Sequence, residues 1–264
     1  MSAGENPRYG TINSHYAARL ADTPAESDGP VWMVNLMKYH GTTAPADGAE
    51  MTDQLRTDIG AQLVFSGDVD QQLIGQPTWD RVGVVKFPTR KSFIDVRSRP
   101  DFHEAHRSKE AVLQQAVVLG CRPLPYPEAP AGVVEVDWAD VPHPPTADDG
   151  PVTIVHVLRF TDTAAAHTVP DEMAAYASAI AEIATKQGAR VAGWFAVEGT
   201  FLGDGRVWHQ VRFNQFPSKR AFLALATDRQ RLQAQKEHRD DAIADTYTMI
   251  VRPGIQQIAE SITS

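Results

Sequence analysis

Short apolar runs rich in β-branched residues alternate along this chain with stretches of helical spacing, and the same succession of the two occurs twice. Residues 31–40 and 152–161 are β-branched and apolar with alternating polarity, and each run predicts a strand. Helical spacing follows over 50–62 and, more fully, over 171–188. There Met173, Tyr176, Ala177, Ile180, Ile183 and Ala184 form an i, i+3, i+4 stripe that Gly188 stops. Two strands come next in each part, 63–74 with 81–87 and 191–202 with 207–216. Thr89 and Ser218 follow Phe-Pro pairs, where a hydroxyl satisfies the free amides of a following helix. Those helices are predicted to run to about Leu113 and Ala244. Strands over 116–122 and 246–252 close the two parts. A short helix over 11–21 precedes the first, and a short strand over 133–136 lies between them.

The order is β-α-β-β-α-β in both parts, the ferredoxin-like succession. Local sequence repeats with it. Asp28-Gly29-Pro30-Val31 recurs as Asp149-Gly150-Pro151-Val152, and Val34 to Tyr39 aligns with Val155 to Phe160. Trp79 recurs as Trp208, and Phe87-Pro88-Thr89 through Phe93 recurs as Phe216-Pro217-Ser218 through Phe222. Several blocks in one order indicate a duplication. The expected organisation is an N-terminal extension (1–27), a first copy (28–126), a proline-rich linker (127–148) and a second copy (149–264). A unit of this kind covers one sheet face with helices. The expected fold is therefore α+β, two tandem ferredoxin-like domains packing sheet to sheet within one chain.

Three phrases carry a resemblance to a known group: Val34-Asn35-Leu36-Met37-Lys38-Tyr39, Trp79 through the Phe87-Pro88-Thr89 turn to Phe93, and Arg99-Pro100-Asp101-Phe102 with His106-Arg107. They resemble the dimeric α+β-barrel superfamily, closest to a bacterial branch of domains of unknown function. The resemblance covers most of the first copy and, more weakly, the second, where His156 replaces the strand asparagine. It implies an intrachain barrel. Such barrels include cofactor-free monooxygenases, muconolactone-type isomerases, polyketide cyclases and haem enzymes such as aldoxime dehydratases and chlorite dismutases, so the fold alone selects no reaction.

Charge and composition narrow the partners. The formal net charge is -8 and no basic cluster occurs, which argues against a nucleic-acid partner. No apolar run approaches the roughly 20 residues that span a bilayer, and the N-terminus is polar, so a cytoplasmic protein is expected. Cys121 is the single cysteine and is read as packing. The mixed-charge stretch 236–241 reads as a solvated helix face.

Candidate chemistry follows from which side chains the alternation turns between the two sheets. With Val34, Leu36, Val82, Val84, Val211 and Phe213 placed toward the helices, the inward set is Met33, Asn35, Met37, Tyr39, Arg81, Gly83 and Val85. From the second copy it is Ile154, His156, Leu158, Phe160, Gln210, Arg212 and Asn214. This is a mostly apolar pocket with few polar groups, the character of a small-molecule site. His156 is the expected general acid/base, because imidazole titrates near neutrality. Arg212 is expected to hold a carboxylate, enolate or oxyanion, and Asn35 to donate to a carbonyl. Tyr39, Met37, Arg81, Trp194, Phe201, Gln210 and Asn214 are expected to contact substrate, with Phe195 among the aromatics.

The copies differ at Asn35/His156, Asp80/His209 and Gly83/Arg212, which predicts one dominant site nearer the second copy. Trp79 and Trp208 are read as core, His106 and His238 as outer surface. The nine histidines are scattered, and His103 with His106 lacks a companion carboxylate motif, so no metal is expected. Gly203-Asp204-Gly205 is read as a hairpin turn. The expected function is a cofactor-independent acid/base enzyme on a small organic substrate, of isomerase, cyclase or lyase type or a cofactor-free oxygenase. The alternative is a haem- or ligand-binding protein with His156 or His238 on iron. The sequence leaves a homodimer open.

Overall fold

The computed structural model describes residues 6–41, 53–104, 111–126, 132–163 and 168–263. The first half contains β1 (Thr11–Ile12), α1 (Ser14–Ala21), β2 (Val31–Tyr39), α2 (Asp53–Asp58), β3 (Gln62–Ile74), β4 (Arg81–Phe87), α3 (Arg90–Arg97) and β5 (Leu113–Leu124). The second contains β6 (Val152–Phe160), α4 (Asp171–Lys186), β7 (Arg190–Gly203), β8 (Gln210–Phe216), α5 (Lys219–Ala226) and α6 (Arg229–Ala234). A π-helical turn (Gln235–Arg239), β9 (Ile243–Gln256) and α7 (Ile258–Thr263) complete it.

Each half forms an antiparallel four-stranded sheet, β5-β2-β4-β3 and β7-β8-β6-β9. Strand β3 pairs with β9 and β5 with β7, so the two sheets join along both edges into a closed eight-stranded barrel, with β1 appended to β7. Closure satisfies the backbone groups that open edges would leave free. It also explains why β5 and β9 outrun their predicted lengths, since both are seam strands.

The repeated Asp-Gly-Pro phrase has a local cause. Asp28 accepts from the backbone N–H groups of Arg90 and Lys91 at 2.8 and 3.2 Å, and Asp149 accepts from those of Lys219 and Arg220 at 3.0 and 3.1 Å. Thr89 and Ser218 cap the same helices through Ser92 N and Ala221 N, as expected. Two side chains thus serve each helix N-terminus, whose first-turn amides have no partner within the helix.

The barrel interior is apolar and shared by the halves. Val34, Leu36, Val82 and Val84 meet Val155, Val157, Val211 and Phe213 there. Phe65 and Phe213 cross the seam edge to face, with ring centres 5.2 Å apart. Trp79 and Trp208 are buried at one end on either side of Tyr247, in keeping with their reading as core. Helix α7 closes against the barrel through buried Ile258, and Ser261 Oγ accepts from Trp32 Nε1 at 2.9 Å.

This interior reverses the expected assignment of strand faces. Met33, Met37 and Tyr39 pack instead with Phe93 and Val96 of α3. Ile154 packs with Phe222 and Leu225 of α5, and Leu158 and Phe160 with Met173 of α4. The side chains read as facing the partner sheet face the helices. The reason is physical: seven consecutive residues of β2, from Val31 to Met37, are buried, so alternation of polarity carries no information about which side is which.

Other differences are local. Thr11 and Ile12 are extended, and Asn13 caps α1 by accepting from Tyr16 N at 3.0 Å. The long second helix of the second half is interrupted because Asp228 accepts from Gln230 N and Arg231 N and starts a new helix. No strand forms over 133–136, and β8 begins at Gln210 rather than at 207. The helix α7 was not expected. Glu50, His106 and Arg107 lie outside the described residues. Among the described residues no helix is long and apolar enough to cross a membrane.

Candidate functional site

Between the outer wall of the second half's sheet and its helices lies a cavity of about 730 Å³. Its floor is a row of four side chains, one from each strand. Trp194 of β7 pairs with Arg212 of β8, Arg212 with His156 of β6, and His156 with Thr248 of β9. Tyr176 of α4, Arg231 of α6 and Arg239 of the π turn line the helix side. Most of the remaining wall is apolar, including Ile154, Leu158, Met173 and Phe222, with Gln215, Gln235 and the ion pair of Glu135 with Arg190 among its polar groups.

Arg212 is held firmly. Its Nε and Nη2 donate to Gln210 Oε1 at 3.1 and 2.7 Å, while Gln210 Nε2 donates to the Thr168 carbonyl. The guanidinium carbon lies 3.9 Å from the centre of the Trp194 ring, close enough for cation–π attraction. Trp194 Nε1 in turn donates to Asn214 Oδ1 at 3.4 Å. His156 Nδ1 is 3.2 Å from Thr248 Oγ1, and among the described residues Nε2 has no hydrogen-bond partner. Arg231 donates to Tyr176 Oη at 3.1 Å.

The field here is positive and poorly solvated. Burial, then Arg239, Arg212 and Arg231, hold the His156 imidazole well below its usual range, so the neutral ring is the resting form. Burial, then Arg239, bring Arg212 down to about 9. Burial also lowers Arg239. Among the described residues no carboxylate forms an ion pair with Arg212, Arg231 or Arg239.

The first half lacks an equivalent. Its corresponding row reads Ser66, Gly83, Asn35 and Val118. Its cavity is only about 80 Å³, filled by Tyr9, Phe93, Phe102 and Phe201 around Arg97. Asn35, Met37 and Phe201 border this small space, and Asn35 Nδ2 donates to the Met33 carbonyl at 2.9 Å. The expected set is therefore split. His156, Arg212, Trp194 and Asn214 come together, with Gln210 behind Arg212. Asn35 and Met37 lie in the first half, where Tyr39 Oη donates to Met37 Sδ, and Phe201 of β7 turns toward the small cavity of that half. Arg81 is paired with Asp68 at 2.7 Å. Phe195 points into the barrel core.

The third expected asymmetry, Asp80 against His209, is structural. Asp80 Oδ2 accepts from Tyr39 N at 2.8 Å, and His209 Nδ1 accepts from Phe160 N at 3.0 Å, the same service at the end of each first strand. His238 is half-buried beside Glu237 and does not border the large cavity. Arg239 was missed. It lies inside the mixed-charge stretch, yet it is 8% exposed because the wider π turn rotates it inward while Lys236 and Glu237 stay in solvent. No spacing rule for regular helices signals this. Among the described residues no group of three or more His, Cys, Asp or Glu is placed to hold a metal ion.

No protein-family model and no curated protein matches the chain. Solved structures do. An anthrone oxidase-like protein aligns at 12% identity over 86% of this chain and 92% of its own, with a TM-score of 0.50. The fold is the dimeric α+β barrel. Chlorite dismutase from Candidatus Nitrospira defluvii aligns over 94% of this chain and 99% of its own, at 9% identity and a TM-score of 0.42. A protein of unknown function from Rhodopseudomonas palustris matches 44% of this chain with 98% of its own, at 21% identity and a TM-score of 0.37. In this barrel the large cavity lies outside the closed sheet, under the second half's helices, and not between the sheets as the sequence led one to expect.

Proposed function

We propose that the chain is a small-molecule enzyme that uses its own residues for acid/base chemistry in the second-half cavity. The carrying observation is the direct pairing of His156 with Arg212 on the cavity floor. A neutral imidazole with Nε2 unengaged can take a proton from an acidic C–H or O–H of a bound substrate. The adjacent guanidinium then stabilises the enolate or oxyanion left behind, in a site where few waters compete. The proton returns to a different atom in an isomerisation, or after bond formation or cleavage in a cyclase or lyase. The same anion is the species that a cofactor-free oxygenase would present to oxygen. The structural likeness to an anthrone oxidase-like protein is compatible with a carbon acid as substrate.

The test is deuterium exchange from heavy water into a panel of cyclic ketones and phenols, followed by proton NMR. Exchange catalysed by the protein and reduced about 100-fold in His156→Gln is expected, the usual size of a positioned base's contribution. Equal exchange in both proteins would overturn the assignment. The haem alternative rests on the same ring nitrogen, since His238 does not border the cavity. Titration with haemin distinguishes it: a stoichiometric Soret band that His156→Gln abolishes would replace the cofactor-free reading.

A further inference from the structure

Two buried guanidinium groups face one largely apolar cavity, and among the described residues no protein anion pairs with either, since Glu135, the carboxylate in the lining, is paired with Arg190. Arg212 is 4% exposed and Arg239 8%. Gln210 occupies the Nε–Nη2 edge of Arg212 and Trp194 one face, which leaves Nη1 unengaged. Arg239 is 5.9 Å from the centre of the Tyr176 ring and makes no hydrogen bond through its side chain among the described residues. The third cation, Arg231, is already occupied by Tyr176 Oη and the Ala226 carbonyl, both at 3.1 Å. Asp240, next to Arg239, is exposed and accepts from Gln235 Nε2 at 2.9 Å. A cation withdrawn from water without a counter-charge is strongly unfavourable, and two in one cavity more so. What relieves both at once is an anion brought by the ligand.

Resting on the reading of this cavity as the substrate site, we propose that its ligand is a small organic carboxylate, held between Arg212 and Arg239 with its apolar body along Ile154, Leu158, Tyr176 and Phe222. The planar two-oxygen group matches the fork of a guanidinium, and the apolar walls demand a hydrocarbon or aromatic remainder. The volume of about 730 Å³ lies within the roughly 300–1,000 Å³ of sites for drug-sized molecules. Phosphate is disfavoured, because its third oxygen would meet the neutral His156 or the apolar wall. A bound carboxylate beside His156 offsets the cations that depress it, so the same group that anchors the ligand strengthens the base.

Calorimetric titration of the full chain with 2-naphthoate and indole-3-acetate, against 2-naphthamide and indole-3-acetamide, tests this. Each acid is expected to bind about tenfold or more tightly than its amide, roughly 1.4 kcal/mol per factor of ten. Arg239→Gln and, separately, Arg212→Gln are expected to shrink that preference to less than about threefold. Equal affinity of acid and amide overturns the carboxylate assignment while the cavity remains a substrate site. Inorganic phosphate displacing the acids at equal concentration overturns it in favour of another anion class. Binding of neither acids nor amides overturns it together with the cavity reading.

Discussion

His156 and Arg212 stand directly opposite each other on β6 and β8, and the same two places in the first half hold Asn35 and Gly83. One exchange places a proton acceptor on the outer wall of the barrel and the other a cation beside it. The interior packing positions, such as Val34 with Val155 and Val84 with Phe213, stay apolar in both halves. These two differences between the halves lie on the helix-covered face, away from the shared core.

Stability should fall on mild acidification. Folding keeps His156 neutral, with its pKa depressed, while the unfolded chain titrates near 6.5. The unfolded state therefore binds the proton first, and stability is full above about 6.5 and declines as the pH is lowered through the window beneath it. Thermal melts between pH 8 and 5 should show this decline, and His156→Gln should flatten it. A wild-type midpoint constant across that range would contradict the neutral, buried assignment.

Removing an unpaired buried cation should stabilise the empty protein. Arg239→Met keeps an unbranched apolar stem and deletes the charge, so a gain of about 1 kcal/mol is expected, as when buried charges give way to apolar side chains. For a chain of this size that corresponds to a rise in Tm of about 2–4 °C. Loss of affinity for 2-naphthoate should accompany it. A lower Tm would mean that Arg239 has a counter-charge.

Gln210 acts through Arg212, so Gln210→Leu should weaken 2-naphthoate binding about tenfold, in line with the roughly 1.5–3 kcal/mol of hydrogen bonds to charged groups. Binding of 2-naphthamide should change little. Calorimetry gives both numbers. An unchanged acid affinity would show that stacking on Trp194 suffices to place the guanidinium.

The end of the barrel depends on α7. Ile258 is fully buried against the shared interior, and Ile258→Ala should cost about 2–5 kcal/mol, the range for truncating a large core side chain. Urea unfolding followed by circular dichroism measures it. A cost near zero would mean that α7 detaches without consequence for the barrel.

Much of the architecture was legible in local chemistry. β-branched runs, the Asp-Gly-Pro phrases and the Phe-Pro-Thr and Phe-Pro-Ser turns located the main strands and the capped starts of α3 and α5, because those signals act over a few residues. His156 and Arg212 were also visible, as departures of one half from the other. Which way they point was not. Strands β2 and β6 are apolar on both sides, one face against the opposite sheet and one against helices, so no polar face marks the outside. Only closure of β3 on β9 and β5 on β7 decided that Val34 and Val155 turn inward and His156 turns out toward α4 and the π turn. Arg239 and Thr248 joined the site by contacts between strands and a helical turn far apart in sequence, and the π turn that buries Arg239 has no regular sequence period. Sequence determined the elements and the exchanged residues through short-range forces. The tertiary structure decided the face, and with it the cavity, because side-chain direction in a doubly buried strand is set by what packs on each side.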